Sequence, residues 1–232
     1  MPAECHFATL WEAIADVIGD EPAVTQGART VTWSDYERRA AQLAGALSDA
    51  GIGAGSKVAL YLHNAPEYLE AQFAALKIRA VPVNVNYRYL DAELSYVLDN
   101  SDAEVVVFHA SLAGHVAGVM DRHPAVRLWL QVGDAGAALI QGATSYEHAI
   151  AAAKRAPRQA RDERDVYMLY TGGTTGTPKG VMFPIGSSPG AGSTPSPSSS
   201  NSHRRRASAG VLRPHDTWRP PKPRRWCFPP VR

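Results

Sequence analysis

VPVNVNYRYLDAELSYVLDNSDAEVVVF, residues 81–108, is the stretch on which the fold turns. Val81–Val85 is predicted as a strand, Asp91–Asp99 as a helix and Glu104–Phe108 as a second strand. The alternation continues on both sides. Upstream lie the β-rich run Lys57–His63 (KVALYLH) and the helical stretch Pro66–Ile78, with Asn64 as its cap and Pro66 in the first turn, where a missing N–H does no harm. Downstream, Ser111–Arg122 reads as helix, Arg127–Val132 as strand and Tyr146–Lys154 as helix. Strands alternating with helices imply a mainly parallel sheet covered by helices, so the expected fold class is α/β.

Nearer the N-terminus, Leu10, Ile14, Val17 and Ile18 recur at helical spacing, and Thr9 with Glu12 forms a capping box, which predicts a short amphipathic helix. Ala23–Thr25 and Arg29–Trp33 flank Gln26-Gly27-Ala28 and read as a hairpin. Ser34 and Glu37 make a second capping box for a helix running to Ala50. Its expected buried face is Tyr36, Ala40, Leu43, Ala44 and Leu47, with Gly51 as a left-handed C-cap. Ala156–Arg164 (APRQARDER) is read as a polar linker that ends at the strand Asp165–Tyr170.

Composition bounds the function. Of 232 residues, 45% are hydrophobic and 20% charged, enough for one substantial core. No run approaches the length of a membrane span. The opening MPAECHFATLWEAIADVIGDE carries acids where a secretory signal carries basic residues, so a cytoplasmic protein is expected. Cys5 and Cys227 stand far apart without CxxC or Cys/His company, which argues against a disulfide framework or a zinc site. The net charge of +2 conceals a break: residues 1–182 hold 15 Lys and Arg against 21 Asp and Glu, and 183–232 hold 9 against 1. Seven prolines occur before the break and ten after it. Two kinds of sequence meet there.

The chemistry is expected just before that break. Thr171-Gly172-Gly173-Thr174-Thr175-Gly176-Thr177-Pro178-Lys179-Gly180 sets four glycines, four hydroxyls and one lysine between an apolar strand and the apolar run Val181–Phe183. Glycines let backbone N–H groups converge on an anion, hydroxyls add donors, and lysine adds a mobile positive charge, which together make a phosphate cradle. Lys179 follows Pro178 and precedes Gly180, so the Walker pattern of Gly-Lys followed by Ser or Thr is not met.

The string YTGGTTGTPKGV resembles the phosphate-loop signature of the adenylate-forming (AMP-binding) superfamily, whose usual form is Thr-Ser-Gly-Ser/Thr-Thr-Gly-x-Pro-Lys-Gly. Gly172 departs from the usual Ser. TWSDYERRAAQLAGAL, GIGAGSKVALYLHNAPEYLEAQFAALK and VPVNVNYRYLDAELSYVLDNSDAEVVV are similar to the N-terminal region of its fatty acyl-CoA synthetases, so the resemblance covers about 180 residues. It implies activation of a fatty or other carboxylic acid by Mg-ATP to an acyl-adenylate, followed by transfer to coenzyme A. ATP, Mg2+, coenzyme A and the fatty acid are then the implied ligands. On the same basis Thr171, Thr174, Thr175 and Lys179, with Thr177, would hold the β- and γ-phosphates and offset charge on the leaving pyrophosphate. Gly172, Gly173, Gly176 and Gly180 would make room for them.

Other residues receive structural readings. His63, His109, His115, His123 and His148 lack a carboxylate at diagnostic spacing and are read as surface or satisfied histidines. Arg88 is read as a structural ion pair, and Trp11, Trp33 and Trp129 as packing residues.

Complete members of the family carry further motifs beyond this loop: a Tyr-Gly-x-Thr-Glu segment for adenine and magnesium, an Asp for the ribose, and a C-terminal domain bearing the catalytic lysine. None appears in these 232 residues. Residues 183–232, with Arg204-Arg205-Arg206 and Lys222-Pro223-Arg224-Arg225, hold too little apolar surface to offset chain entropy and are expected to be disordered. Coding sequence read out of frame is favoured there over a basic arm for nucleic acid and over a linker to a lost domain. The expected organisation is therefore a partial N-terminal adenylation domain over 1–182 and a Pro/Ser/Arg-rich tail over 183–232. The 232 residues are expected to be a truncated, inactive ligase. The alternative is a non-catalytic nucleotide-binding protein, or an anion binder acting through the tail.

Overall fold

The computed structural model describes residues 6–133, 136–171 and 178–185. In chain order the elements are α1 (Phe7–Ile18), β1 (Pro22–Gln26), β2 (Arg29–Thr32), α2 (Trp33–Asp49), β3 (Lys57–Tyr61), α3 (Pro66–Lys77), β4 (Val81–Asn84) and α4 (Asp91–Ser101). They continue as β5 (Ala103–His109), α5 (Ala113–Ala117), β6 (Leu128–Val132), β7 (Thr144–Ser145), α6 (Tyr146–Ala152), β8 (Val166–Thr171) and β9 (Lys179–Pro184). Short 3-10 turns stand at Ala110–Leu112 and Met120–Arg122.

β1 and β2 form the antiparallel hairpin read from the sequence. The other strands make one sheet in the order β7-β6-β5-β3-β4-β8-β9, parallel throughout except for the antiparallel pair β8–β9 at one edge. Because strand side chains alternate between faces, β3 and β5 divide their residues between two cores. Val58, Leu60, Val105 and Val107 meet α2, α3 and α6 on one face. Ala59, Tyr61, Val106 and Phe108 meet α4 and α5 on the other. A third cluster, built on Ala8, Tyr36, Phe73 and Leu76 with Trp11 and Trp33 against it, joins α1 and the hairpin to the outer sides of α2 and α3.

Several local expectations are corrected. α1 begins two residues before Thr9: His6 is its N-cap, its Nδ1 accepting from the Ala8 N–H at 3.1 Å. The apolar stripe of α1 does not face the core. Leu10, Val17 and Ile18 are exposed, and the helix rests on Ala8, Trp11 and the carboxylate of Glu12. α2 is capped by Thr32, not Ser34, with the Asp35 N–H donating to Thr32 Oγ1 at 3.2 Å. Its buried face is the one expected, and Gly51 follows it at φ +77°. Asn64 does not cap α3; its carbonyl accepts from Gln26 Nε2 at 2.9 Å instead. The helix expected over Ser111–Arg122 is broken into the five-residue α5 between the two 3-10 turns.

The largest correction concerns Ala156–Arg164, which is a docked strap and not a free linker. Its Ala156 N–H donates to the Ala41 carbonyl at 2.8 Å, and Gln159 Nε2 donates to the Lys77 carbonyl at 2.9 Å. Arg158 forks onto both carboxylate oxygens of Asp16 at 2.7 Å. Arg161 is buried, with Nη2 2.9 Å from Glu12 Oε1. Lys77, fully buried, donates at 2.7 Å to both Glu12 and Glu37. Gly45 on α2 permits the crossing, since a Cβ there would stand 1.8 Å from the Lys154 carbonyl oxygen.

Candidate phosphate-binding site

β3 leads into α3 on one face of the sheet, whereas its neighbours β4 and β5 lead into α4 and α5 on the other. Chains leaving adjacent strands in opposite directions open a crevice at the strands' C-terminal ends, which is where open α/β sheets take their ligands. Extending the strand registers by two residues places His109, Leu62, Asn86, Thr171 and Lys179 in one row along this mouth. The row spans β5 to β9.

Thr171 ends β8 and Lys179 begins β9, and the two are directly opposed across the antiparallel pair. Opposed residues project to the same face, so the hydroxyl and the ammonium share one side of the sheet. Both are exposed. The next pair, Tyr170 with Gly180, projects to the other face, where Tyr170 is buried and donates through its hydroxyl to Asn100 Oδ1 at 2.7 Å. Burial raises the Tyr170 pKa above its ordinary value. Gly180 therefore has a structural duty: a Cβ there would lie 3.0 to 3.2 Å from the Tyr170 ring and hydroxyl. Gly172, Gly173, Thr174, Thr175, Gly176 and Thr177 lie outside the described residues.

A second polar group lines the same mouth and was missed by reading each residue singly. His63, just past β3, has its ring centroid 4.8 Å from that of Tyr87 and 5.2 Å from that of His109. Ser111 Oγ lies 3.0 Å from His63 Nε2 and 2.8 Å from His109 Nδ1. Partial burial, and then the neighbouring His109, lower the His63 pKa, which favours its neutral ring. The signal that could have found this group is positional: all four residues stand at or just past the ends of adjacent parallel strands. The cluster spans the ends of strands one to three spacings from Thr171, about 5–14 Å. Arg88 makes no ion pair among the described residues, contrary to expectation; its guanidinium lies 5.6 Å from the Tyr87 ring centroid, a cation–π contact. Trp129 is buried in the core as expected. Among the described residues, no group of three or more His, Cys, Asp and Glu side chains could hold a metal ion.

Comparison with known proteins gives this geometry a context. The family described as AMP-binding enzyme matches residues 11–189. The chain is 38% identical over 181 residues to the 3-oxocholest-4-en-26-oate–CoA ligase of Rhodococcus rhodochrous, an overlap of 77% of this chain and 33% of the relative. It is 37% identical over 187 residues to the medium-chain acyl-CoA ligase Mig of Mycobacterium avium, covering 74% and 34%. The solved anthranilate CoA ligase AuaEII, in complex with anthranoyl-AMP, shares the fold with a TM-score of 0.71 at 22% identity, over 80% of this chain and 37% of that one. The chain spans about a third of the length of the curated relatives it matches. Among the described residues no helix is long and apolar enough to cross a membrane.

Proposed function

Because the chain belongs to the AMP-binding enzyme family, we propose that it supplies the phosphate-holding part of an ATP-dependent ligase that activates a fatty or other carboxylic acid to its adenylate and then to its coenzyme A thioester. The observation that carries this reading is the opposition of Thr171 and Lys179 at the mouth of the sheet. A hydroxyl and an ammonium projecting to one face can hold phosphate oxygens and stabilise the charge that grows on departing pyrophosphate. Neither group is anionic, so magnesium would be held chiefly through phosphate oxygens and not by this pair. The residues 172–177 between them would add backbone N–H donors. Relatives named as acyl-CoA ligases support the substrate class. The working compartment proposed is the cytoplasm, and the partners are small molecules, not nucleic acid.

The 232 residues by themselves are proposed to bind nucleotide weakly and to complete no thioester. Phosphate contacts alone leave adenine and ribose unheld, and tight, productive binding needs both ends of the ligand positioned. Calorimetry of the full chain with Mg-ATP tests the site: Lys179→Ala is expected to weaken binding about tenfold by removing a charged donor. Micromolar affinity indifferent to Lys179→Ala would overturn it. Pyrophosphate release and thioester formation, assayed over short, medium and long fatty acids, separate this reading from a complete enzyme. A non-catalytic nucleotide-binding role for the same loop would give binding without turnover even when the rest of a relative's sequence is supplied.

A further inference from the structure

The face of α4 turned toward α5 carries a constellation that the nucleotide chemistry does not use. Ser95 and Asp99 are one turn apart on α4, so their side chains lie on one face. His123, which follows the second 3-10 turn, reaches both: Ser95 Oγ is 2.8 Å from its Nε2, and Asp99 Oδ1 is 3.0 Å from its Nδ1. An ionised carboxylate only accepts hydrogen bonds, so Nδ1 must carry the imidazole proton. In the neutral ring Nε2 is then a bare lone pair, and the Ser95 hydroxyl is the donor. The His123 ring is 5% exposed, and its packing fixes that orientation. His115 has its own carboxylate, with Nδ1 2.7 Å from Asp91 Oδ1, but among the described hydrogen bonds no hydroxyl meets its ring. His63 and His109 share the hydroxyl of Ser111 and have no described carboxylate partner. Among the described residues, His123 alone joins a hydroxyl on Nε2 to a carboxylate on Nδ1.

From this we infer that Ser95 is an activated nucleophile, which takes the acyl group of a small uncharged ester with His123 as base and Asp99 as the group that orients it. Ser95 Oγ attacks the carbonyl carbon while its proton passes to His123 Nε2. The bond to the leaving alkoxide then breaks, and the alkoxide takes that proton. Water, deprotonated by the same Nε2, next cleaves the seryl ester, so ester and water become acid and alcohol and Ser95 is restored. The neighbouring charges define the substrate. Asp91 stands one turn before Ser95, Glu93 lies between them in sequence, and Asp99 is 71% exposed, so polyanionic acyl donors are repelled and neutral ones admitted. Ser95 is half-buried on a helix face, which suits a small acyl group.

The test is modification of the folded full chain by diisopropyl fluorophosphate, with the site read by mass spectrometry. Trypsin releases Tyr89–Arg122, in which Ser95, Ser101 and Ser111 are the serines, and fragmentation tells them apart. The expected result is phosphorylation of Ser95, abolished by Ser95→Ala and slowed about tenfold or more by His123→Gln. Asp99→Asn changes an exposed side chain, so it leaves the fold in place and is expected to slow labelling as well. Hydrolysis of p-nitrophenyl acetate should follow the same order among the variants. A folded chain that leaves Ser95 unlabelled, or labels it as fast in Asp99→Asn as in the parent, would overturn the inference. No ATP is present in the assay, so its failure leaves the phosphate-site reading untouched.

Discussion

The strap Ala156–Arg164 and the strand β9 invert each other. The strap is among the most polar stretches of the chain, yet it carries the buried Arg161 and lies against α2 and α3. β9 is among the most apolar, yet every one of its residues is exposed, with Val181, Met182 and Phe183 at 39%, 64% and 46%. Polarity alone does not decide burial; the available partners do. Glu12 offers a buried carboxylate that needs positive charge, and Arg161 supplies it alongside Lys77. β9 pairs with β8 along one edge, and no described element covers its outer side. Three residues past the composition break at Met182, Ile185 is buried again in the third cluster.

That contrast is broken most severely at its buried arm. Lys77→Met removes the ammonium that Glu12 and Glu37 share, leaving carboxylates without their full complement of charge, and is expected to cost about 3–5 kcal/mol in urea unfolding. If the loss is below about 1 kcal/mol, the network is incidental to the docking of the strap.

A pH experiment reaches the same region from His6. Its ring is buried, and burial lowers its pKa from 6.5 to about 4, against the opposing pull of Asp165, 3.5 Å away. With the folded pKa below the unfolded one, the neutral ring stabilises the fold fully above about pH 6.5, and that stability is lost as pH falls toward 4. The loss is on the order of 3 kcal/mol. His6→Asn, which retains a cap acceptor, should flatten the stability profile between these pH values; parallel profiles would refute the assignment.

Gly45→Ala tests the crossing itself. A methyl group 1.8 Å from the Lys154 carbonyl must displace the strap, at a cost of about 1–3 kcal/mol, read as a shift of the urea midpoint. The smallest effect is expected on the exposed arm. Met182→Thr should change stability by less than about 0.5 kcal/mol while reducing self-association in light scattering. A larger destabilisation would mean that β9 is covered in solution.

How far the sequence could be read follows the range of the interactions. The strands and helices from Lys57 to His109 were legible because alternation of residue types is a local signal. The facing of α1 was not legible, because one of its two buried residues is Glu12, whose partners come from 65 and 149 residues away. The same distance hid the strap. Thr9 and Ser34 mimicked caps because Ser and Thr are common in first turns, whereas the actual acceptors, His6 and Thr32, lie three and two residues earlier. In the candidate site Thr171 and Lys179 were found by motif. The cluster of His63, Tyr87, His109 and Ser111 escaped because only strand register brings it together.

The pairing of Glu12 with Arg161 also sets a schedule for folding. It closes a loop of 149 residues around nearly the whole body, and contacts of such long sequence separation form slowly. During synthesis, α1 therefore emerges long before the residues that complete its polar contacts. Until residues 158 and 161 are available, the carboxylate of Glu12 has Lys77 as its described cationic partner, and the helix is held mainly by the packing of Trp11 on Tyr36 and Phe73. Any pause in translation before that point therefore prolongs the interval in which this helix is open to a chaperone or a protease.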